Sequence, residues 1–274
     1  MNRGVVRIGN PMDARAIAWA GAALMVGLAL PSALALPFDD RALFGASVWD
    51  KPLRFDLALG IHLLTLWALL QLLPPMRLAS ASMRRTLLIC TVCAVLEALY
   101  ITLQAARGRA SHFNVQTALE QFLYYGAMGP GAVLIVATTF IVGWQLWRHA
   151  DPASSPGLRS GAALGLMLGS VATLVVVSPL SAGLIDGLGH WVGGVHSDRL
   201  GMPVFGWSRT GGDLRVPHFF AVHLMQALPL AGWFADRAGS RRPRLWVYAA
   251  ASIGLLVVAA TFWQAIAGRP FLPL

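Results

Sequence analysis

This sequence contains few charged residues and only one lysine. Charged residues make up 12% of its 274 positions and hydrophobic residues 57%, whereas soluble domains carry about 25% charged residues. The single lysine, Lys51, lies at the edge of a loop. This position excludes a retinal protein, because a retinal Schiff base needs a lysine deep within a helix. The composition predicts a membrane protein.

Cysteine and the common catalytic motifs are also scarce. Cys90 and Cys93 share one apolar run and provide no disulfide framework, so we interpret them as small core residues. The sequence has no Walker loop, dinucleotide fingerprint, serine-hydrolase elbow or zinc-protease helix. Its net charge of +9 comes from arginines scattered between apolar runs, without the basic stripe of a nucleic-acid-binding protein. We therefore expect no nucleic-acid partner.

Seven apolar runs are long enough to cross a bilayer, which takes about 20 residues. They cover residues 16–36, 53–73, 86–105, 121–147, 160–184, 216–235 and 245–267. The sequence therefore predicts an all-α polytopic integral membrane protein, with about seven transmembrane helices in one bundle and the lipid bilayer as its partner. We treat residues 1–274 as a single transmembrane domain with a short N-terminal segment, 1–15. The connection 185–214 is too long for a simple turn and predicts an outer cap.

The first apolar run and the basic residues bear on topology. The run ends in small residues near Ala33 and Ala35, as a signal peptide does, but its length favours retention as a helix. Twelve of the 21 basic residues fall on the N-terminal side of the membrane and nine on the other. Because the more basic side is usually cytoplasmic, we predict a bacterial inner-membrane protein. Its N-terminus is then cytoplasmic and its C-terminus periplasmic.

Three ionisable residues lie inside apolar runs, namely His62, Glu97 and His223. Each costs at least ~2.5 kcal/mol in a bilayer and therefore marks a candidate site. Each lies about nine residues from the outer end of its run, which at 1.5 Å per residue is roughly 13 Å deep. Glu97 also belongs to a helical stripe that includes Tyr100 and Gln104. We expect the three ionisable residues to meet in a polar pocket open to the outer face.

Further polar residues lie near the outer ends of these runs. His112 and His218 are additional candidate metal ligands. Arginine suits the propionates of a haem, and phosphate or carboxylate groups in general. The candidates for such contacts are Arg54, Arg107, Arg109 and Arg215. Asp213 is expected to cap the sixth predicted helix.

These residues are compatible with three functions. The first is a membrane oxidoreductase or electron-transport protein in which His62 and His223 bind haem b, or bind a transition metal (Fe or Cu) together with Glu97. A quinone or another membrane subunit is the expected partner in that case. The alternative is a proton-coupled transporter or channel that uses the same three residues as a protonation relay. The third is a scaffold, assembly factor or sensor in which the histidines only make hydrogen bonds.

Overall fold

The computed structural model describes residues 12–187 and 189–274, so most of the predicted N-terminal segment 1–15 lies outside it. The helices are α1 (Ala14–Ala35), α2 (Asp50–Leu70), α3 (Pro75–Leu78), α4 (Ala81–Ala106), α5 (Ala118–Phe122), α6 (Gly129–His149), α7 (Pro156–Ser181), α8 (Arg215–Arg237) and α9 (Pro243–Ile266). Two antiparallel pairs of short strands join β1 (Ala42–Leu43) to β2 (Ala46–Ser47) and β3 (Trp191–Val192) to β4 (Gly212–Asp213).

Six helices in the described part of the chain are long and apolar enough to cross a membrane. They are α1, α2, α4, α7, α9 and the continuous helix Ala118–His149, in which a π-helical segment, Leu123–Met128, joins α5 to α6. Six such helices indicate a multi-pass membrane protein and support the predicted all-α bundle. The run predicted at 216–235 forms α8, which does not meet the same criterion. Its 23 residues include two histidines and three charged residues, so the count of seven is not confirmed.

A row of glycines joins α7 to α8. The glycines recur every fourth residue along α7 and meet the backbone of α8 in reverse order. Gly157 faces Gly232, Gly161 faces Leu228, Gly165 faces Leu224 and Gly169 faces Ala221. The two helices are therefore antiparallel and in close contact, because small residues at this spacing let helix backbones approach. A methyl group added at Gly165 would lie 2.6 Å from the carbonyl oxygen of Leu224.

The main apolar core lies where α1, α2 and α4 meet. A methyl group added at Gly21 of α1 would contact Leu63 of α2 at 3.0 Å and Thr91 of α4 at 2.6 Å. Cys90 is buried in this core and Cys93 packs against it, both as free thiols. The interpretation of the two cysteines as core residues is confirmed.

Residues 36–49, 107–117, 182–187 and 189–214 cover one end of the bundle, which we call the cap end. Their loops hold one another by backbone hydrogen bonds, such as that from Asp198 N–H to the carbonyl oxygen of Phe44 (2.8 Å). The turn 202–206 includes Val204 with φ 70°, a left-handed conformation that is strained for a β-branched residue. This turn presents the Phe205 and Gly206 carbonyl groups to α2 and α8.

Candidate functional site

Helices α2 and α8 run in the same direction and are joined at two levels. At the cap end, the Arg54 guanidinium donates to the carbonyl oxygen of Phe205 (3.3 Å), and that of Arg215 donates to the carbonyl oxygen of Gly206 (2.7 Å). Eleven residues further along each helix, Gln226 Nε2 donates to Thr65 Oγ1 (3.0 Å). The two helices therefore share one register from the cap to this lower contact.

This register brings His62 and His223 to the same level. Each histidine lies three residues to the cap side of the Thr65–Gln226 hydrogen bond, or about 4.5 Å along the helix axis. Two of the three predicted intramembrane residues are thus placed at a common depth, on neighbouring helices.

The hydrogen bond of His223 determines its tautomer. Nδ1 lies 2.7 Å from the carbonyl oxygen of Phe219, one turn earlier in α8, and the Phe219 and His223 rings lie 4.0 Å apart between centroids with their planes tilted by 30°. Because a carbonyl group only accepts, Nδ1 must carry the hydrogen. The lone pair of Nε2 is then available to accept a proton or to bind a metal.

His62 is oriented by α6. Its Nε2 lies 3.0 Å from Thr139 Oγ1, and that hydroxyl group donates its own hydrogen to the carbonyl oxygen of Ile135 (2.8 Å). The Thr139 oxygen must therefore accept from His62 Nε2–H. The unprotonated nitrogen of His62 is Nδ1.

Glu97 lies closer to the cap than the two histidines. A methyl group added at Gly131 of α6 would lie 3.0 Å from Glu97 Oε1, and Gly131 precedes Thr139 by eight residues, about 12 Å. The prediction of a common depth for all three residues is wrong for Glu97. The reason is that the cap-side ends of α2, α4 and α8 do not lie at one level, so equal distances from the helix ends do not give equal depths.

All four predicted arginine sites are engaged by groups of the protein. Arg107 and Arg109 contact Glu120 at 3.9 and 2.8 Å, and this carboxylate is 2% exposed. Arg54 lies 3.5 Å from Asp50. Arg215 donates to Asp213, whose carboxylate also accepts from the backbone N–H of Arg215. The N-cap of α8 is Leu214, without a side-chain capping hydrogen bond, so the prediction of Asp213 as the cap is wrong by one residue. A haem propionate would have to compete with these contacts.

A cluster of ionisable side chains lies between the histidine pair and the cap, and sequence reasoning missed half of it. We call it the cap-side cluster, and its members are Lys51, His112, His190, Asp198, Arg215 and His218. His190 Nε2 lies 3.7 Å from Asp198 Oδ1, which accepts from Arg215 at 2.8 Å. The charge of Lys51 interacts with those of Asp198, Arg215 and Glu97.

The predicted residues His112 and His218 both belong to this cluster. The ring of His112 packs 5.3 Å from that of Phe55, and the ammonium group of Lys51 lies 5.8 Å from the same ring. His218 precedes His223 by five residues on α8, closer to the cap. Polar groups therefore continue from the cap to the histidine pair. The signal for Lys51 was present in the sequence, since it is the only lysine and begins a span, whereas nothing local marked His190 or Asp198.

Burial favours the neutral forms of His112 and His190. Desolvation, followed by the charge of Lys51, lowers the pKa of His112 well below its usual value. Desolvation also lowers the pKa of His190 although Asp198 opposes the shift. Burial disfavours the charged form of Asp198, but the nearby imidazole of His190 and the charge of Arg215 outweigh it and lower the pKa of this carboxyl group. An ion pair with a neutral imidazole beside it thus lies under the cap.

The predicted cofactors fit the geometry unequally. Within residues 12–187 and 189–274, no three His, Cys, Asp or Glu side chains are grouped so that they could hold a metal ion. A porphyrin between His62 and His223 would occupy the space crossed by the Thr65–Gln226 hydrogen bond, so haem b remains a prediction that requires this bond to open. Two histidines with one free nitrogen each suit proton transfer without any such change.

Comparison with known proteins supplies no further guide to function. No protein-family model, curated protein or solved structure matches this chain. The functional argument therefore depends on the residues of the site.

The neutral histidines make cap stability depend on pH. The unfolded chain protonates His112 and His190 near pH 6.5, above the pKa of either group in the folded protein, so the free energy of unfolding should fall as the pH drops below about 6.5. We expect a lower thermal midpoint at pH 5.0 than at pH 7.5. His112→Phe, which suits the surrounding Phe55, Phe113 and Tyr124 rings, should reduce this difference. His196→Phe, at an exposed cap position, should leave this difference unchanged. Equal differences in the wild type and both variants would contradict a contribution of His112 to the pH dependence.

Proposed function

We propose that this chain is a proton-linked transporter of the bacterial inner membrane, and that His62 and His223 are its proton-binding pair. α8 is then the seventh span, with the cap on the periplasmic side. The observation that carries the proposal is the one-sided distribution of ionisable groups. They extend from the cap through the cap-side cluster to His223 and His62.

The stretches of α2, α6 and α8 directly beyond the histidines carry no ionisable side chains, although charged groups return at the far ends of the helices. No Asp, Glu, Lys, Arg or His lies in residues 63–70 of α2, 129–147 of α6 or 224–235 of α8. The Thr65–Gln226 hydrogen bond crosses between α2 and α8 at this boundary, and the side chains of Leu66 and Leu70 are fully buried beyond it. In this proposal a proton reaches the pair from the cap side, as in an outward-facing state.

The two tautomers support proton binding at the pair. His223 Nε2 and His62 Nδ1 are the free nitrogens, while the opposite nitrogen of each ring is held by a hydrogen bond. Both rings are therefore fixed in orientation before a proton arrives. Passage to the other side would require the Thr65–Gln226 hydrogen bond to break, and we propose this bond as part of the inner gate.

The test is the charge displaced by a pH jump, measured by electrometry on proteoliposomes adsorbed to a solid support. Acidifying the cap side should give a transient current in the wild type, since protons move from the surface to the middle of the bilayer. His62→Gln combined with His223→Gln should remove at least nine-tenths of that charge. His149→Gln, at the opposite end of the bundle and 3.3 Å from Arg77, is the matched control and should retain it. A wild type without a transient, or an unchanged transient in the double variant, would contradict the proposal.

A second candidate is the predicted redox function with a single transition metal, Fe or Cu. The observation that favours it is the His223 Nδ1–H···O=C hydrogen bond, because metal-binding histidines are oriented in this way by a partner on the other nitrogen. Elemental analysis of the same preparation distinguishes the two functions. Stoichiometric metal that is lost in His223→Gln would favour redox chemistry over proton transport.

A further inference from the structure

A second set of polar groups lies on another face of α2, where it meets α1 and α4. Asp56 is 1% exposed, and neither of its carboxylate oxygens has a hydrogen-bond partner among the described residues. The hydroxyl oxygens of Ser32 on α1 and Thr102 on α4 are also buried, and they too have no hydrogen-bond partner among the described residues. A buried carboxylate without a partner is costly, so these groups require an explanation.

Helix geometry turns the three side chains toward one another. Gly21, Leu63 and Thr91 mark a point where α1, α2 and α4 meet. Ser32 and Thr102 each lie eleven residues beyond that point, which is three turns and about 20°, so they return to the same seam. Asp56 lies seven residues before Leu63 on the antiparallel α2, again on the same face.

The tilt of the side chains also brings the oxygen atoms of Asp56, Ser32 and Thr102 toward one another. Side chains of a helix tilt toward its N-terminus. Asp56 therefore tilts toward the cap, whereas Ser32 and Thr102, which lie about 6 Å nearer the cap, tilt away from it. Four oxygen atoms from three helices thus point into one region of the seam.

The region is closed at both ends by apolar side chains. Val48, Trp49 and Ala105 pack together on its cap side, and Met25 and Leu63 belong to the core on the other side. Near the level of Asp56, Ala29 of α1 and Ala98 of α4 are small and buried, and Leu28 of α1 is partly buried. This region differs from the histidine site, because Asp56 and His62 lie about 120° apart around α2.

We propose that Asp56, Ser32 and Thr102 form a binding site for a monovalent cation, with Na⁺ as the test ion. Hard cations take carboxylate and hydroxyl oxygens as ligands, and the site offers only oxygen atoms. One carboxylate neutralises a monovalent ion, whereas a divalent ion would leave one uncompensated charge in the bilayer, which is costly. Oxygens arranged around a cation contact the ion rather than one another, which accounts for the missing hydrogen bonds.

The experiment compares thermal midpoints of the full chain in detergent, in NaCl and in choline chloride at equal ionic strength. Because an ion that binds only the folded state stabilises it, the wild-type midpoint should be about 5 °C or more higher in saturating Na⁺. Asp56→Asn should lose this increase. Asp50→Asn, at the start of the same helix and paired with Arg54 at 3.5 Å, is the matched control and should keep it.

Two further variants keep the proposal testable if Asp56→Asn does not fold. Ser32→Ala and Thr102→Val remove hydroxyl groups that lack partners, so both should be at least as stable as the wild type in choline chloride. Each should need at least tenfold more Na⁺ for half of the midpoint increase. Equal wild-type midpoints in the two salts would overturn the proposal. So would an unchanged Na⁺ dependence in both hydroxyl variants.

Discussion

Gly161→Ala should be among the most destabilising single-methyl substitutions in this protein. The added methyl group would overlap the carbonyl oxygen of Leu228 on α8 and would lie 2.9 Å from the Cα atom of Pro229. Backbone atoms cannot rotate away as a side chain can, so α7 and α8 would have to separate along the whole glycine row. We expect a loss of about 3 kcal/mol, which lowers the thermal midpoint by roughly 10 °C.

Gly27→Ala is the matched control, because it makes the same chemical change in the middle of α1. No atom lies within 4 Å of a methyl group placed there, and alanine favours a helix over glycine. The control should be as stable as the wild type or slightly more stable. Circular dichroism during heating in detergent measures both effects. Equal midpoints for the two variants would show that α7 and α8 are not in the close contact described above.

Asp213→Ala should release the cap from the bundle. The Asp213 carboxylate is 1% exposed and accepts from the backbone N–H groups of Ser208 and Arg215 at 2.8 and 3.0 Å, and from the Arg215 guanidinium at 2.7 Å. Removing it leaves a partly buried cation with Asp198 as its remaining acidic partner. Breaking a buried ion pair in this way costs about 3–5 kcal/mol.

Hydrogen exchange locates the effect of this substitution. Amide groups of residues 190–213 should exchange at least tenfold faster in Asp213→Ala, whereas those of α4 and α6 should change little. Asp40→Ala removes an exposed carboxylate from another cap-end loop and should leave exchange in 190–213 unaltered. A uniform increase over all helices, or no increase in the cap, would be inconsistent with Asp213 as the anchor of this segment.

Local sequence properties were sufficient for the helices but not for the number of membrane spans. Each apolar run predicted a helix to within a few residues at either end, since continuous apolar character and helix-breaking residues act over short distances. α8 differs from the other long helices. It is long enough to cross a membrane, but its polar residues make it less apolar than the six candidate spans. Its burial depends on the glycine face of α7.

The candidate site was only partly predictable for the same reason. Burial of His62, Glu97 and His223 in apolar runs identified them as unusual residues. Their relative depth depended on where α2 begins and on the register between α2 and α8, which the Thr65–Gln226 hydrogen bond fixes. Asp56 escaped attention because a charge six residues into a span resembles an interfacial residue until its neighbours on α1 and α4 are known.

The sequence by itself determined the class of the molecule, the positions of its helices and the residues that are expensive to place in a bilayer. These properties follow from the transfer of each side chain from water to lipid, which depends on that side chain alone. Only the tertiary structure decided which of these residues meet, because contacts between helices depend on register and on close approach at small residues. It brought His62 and His223 to one level on α2 and α8, separated Glu97 from them, and left Asp56, Ser32 and Thr102 buried without hydrogen-bond partners among the described residues.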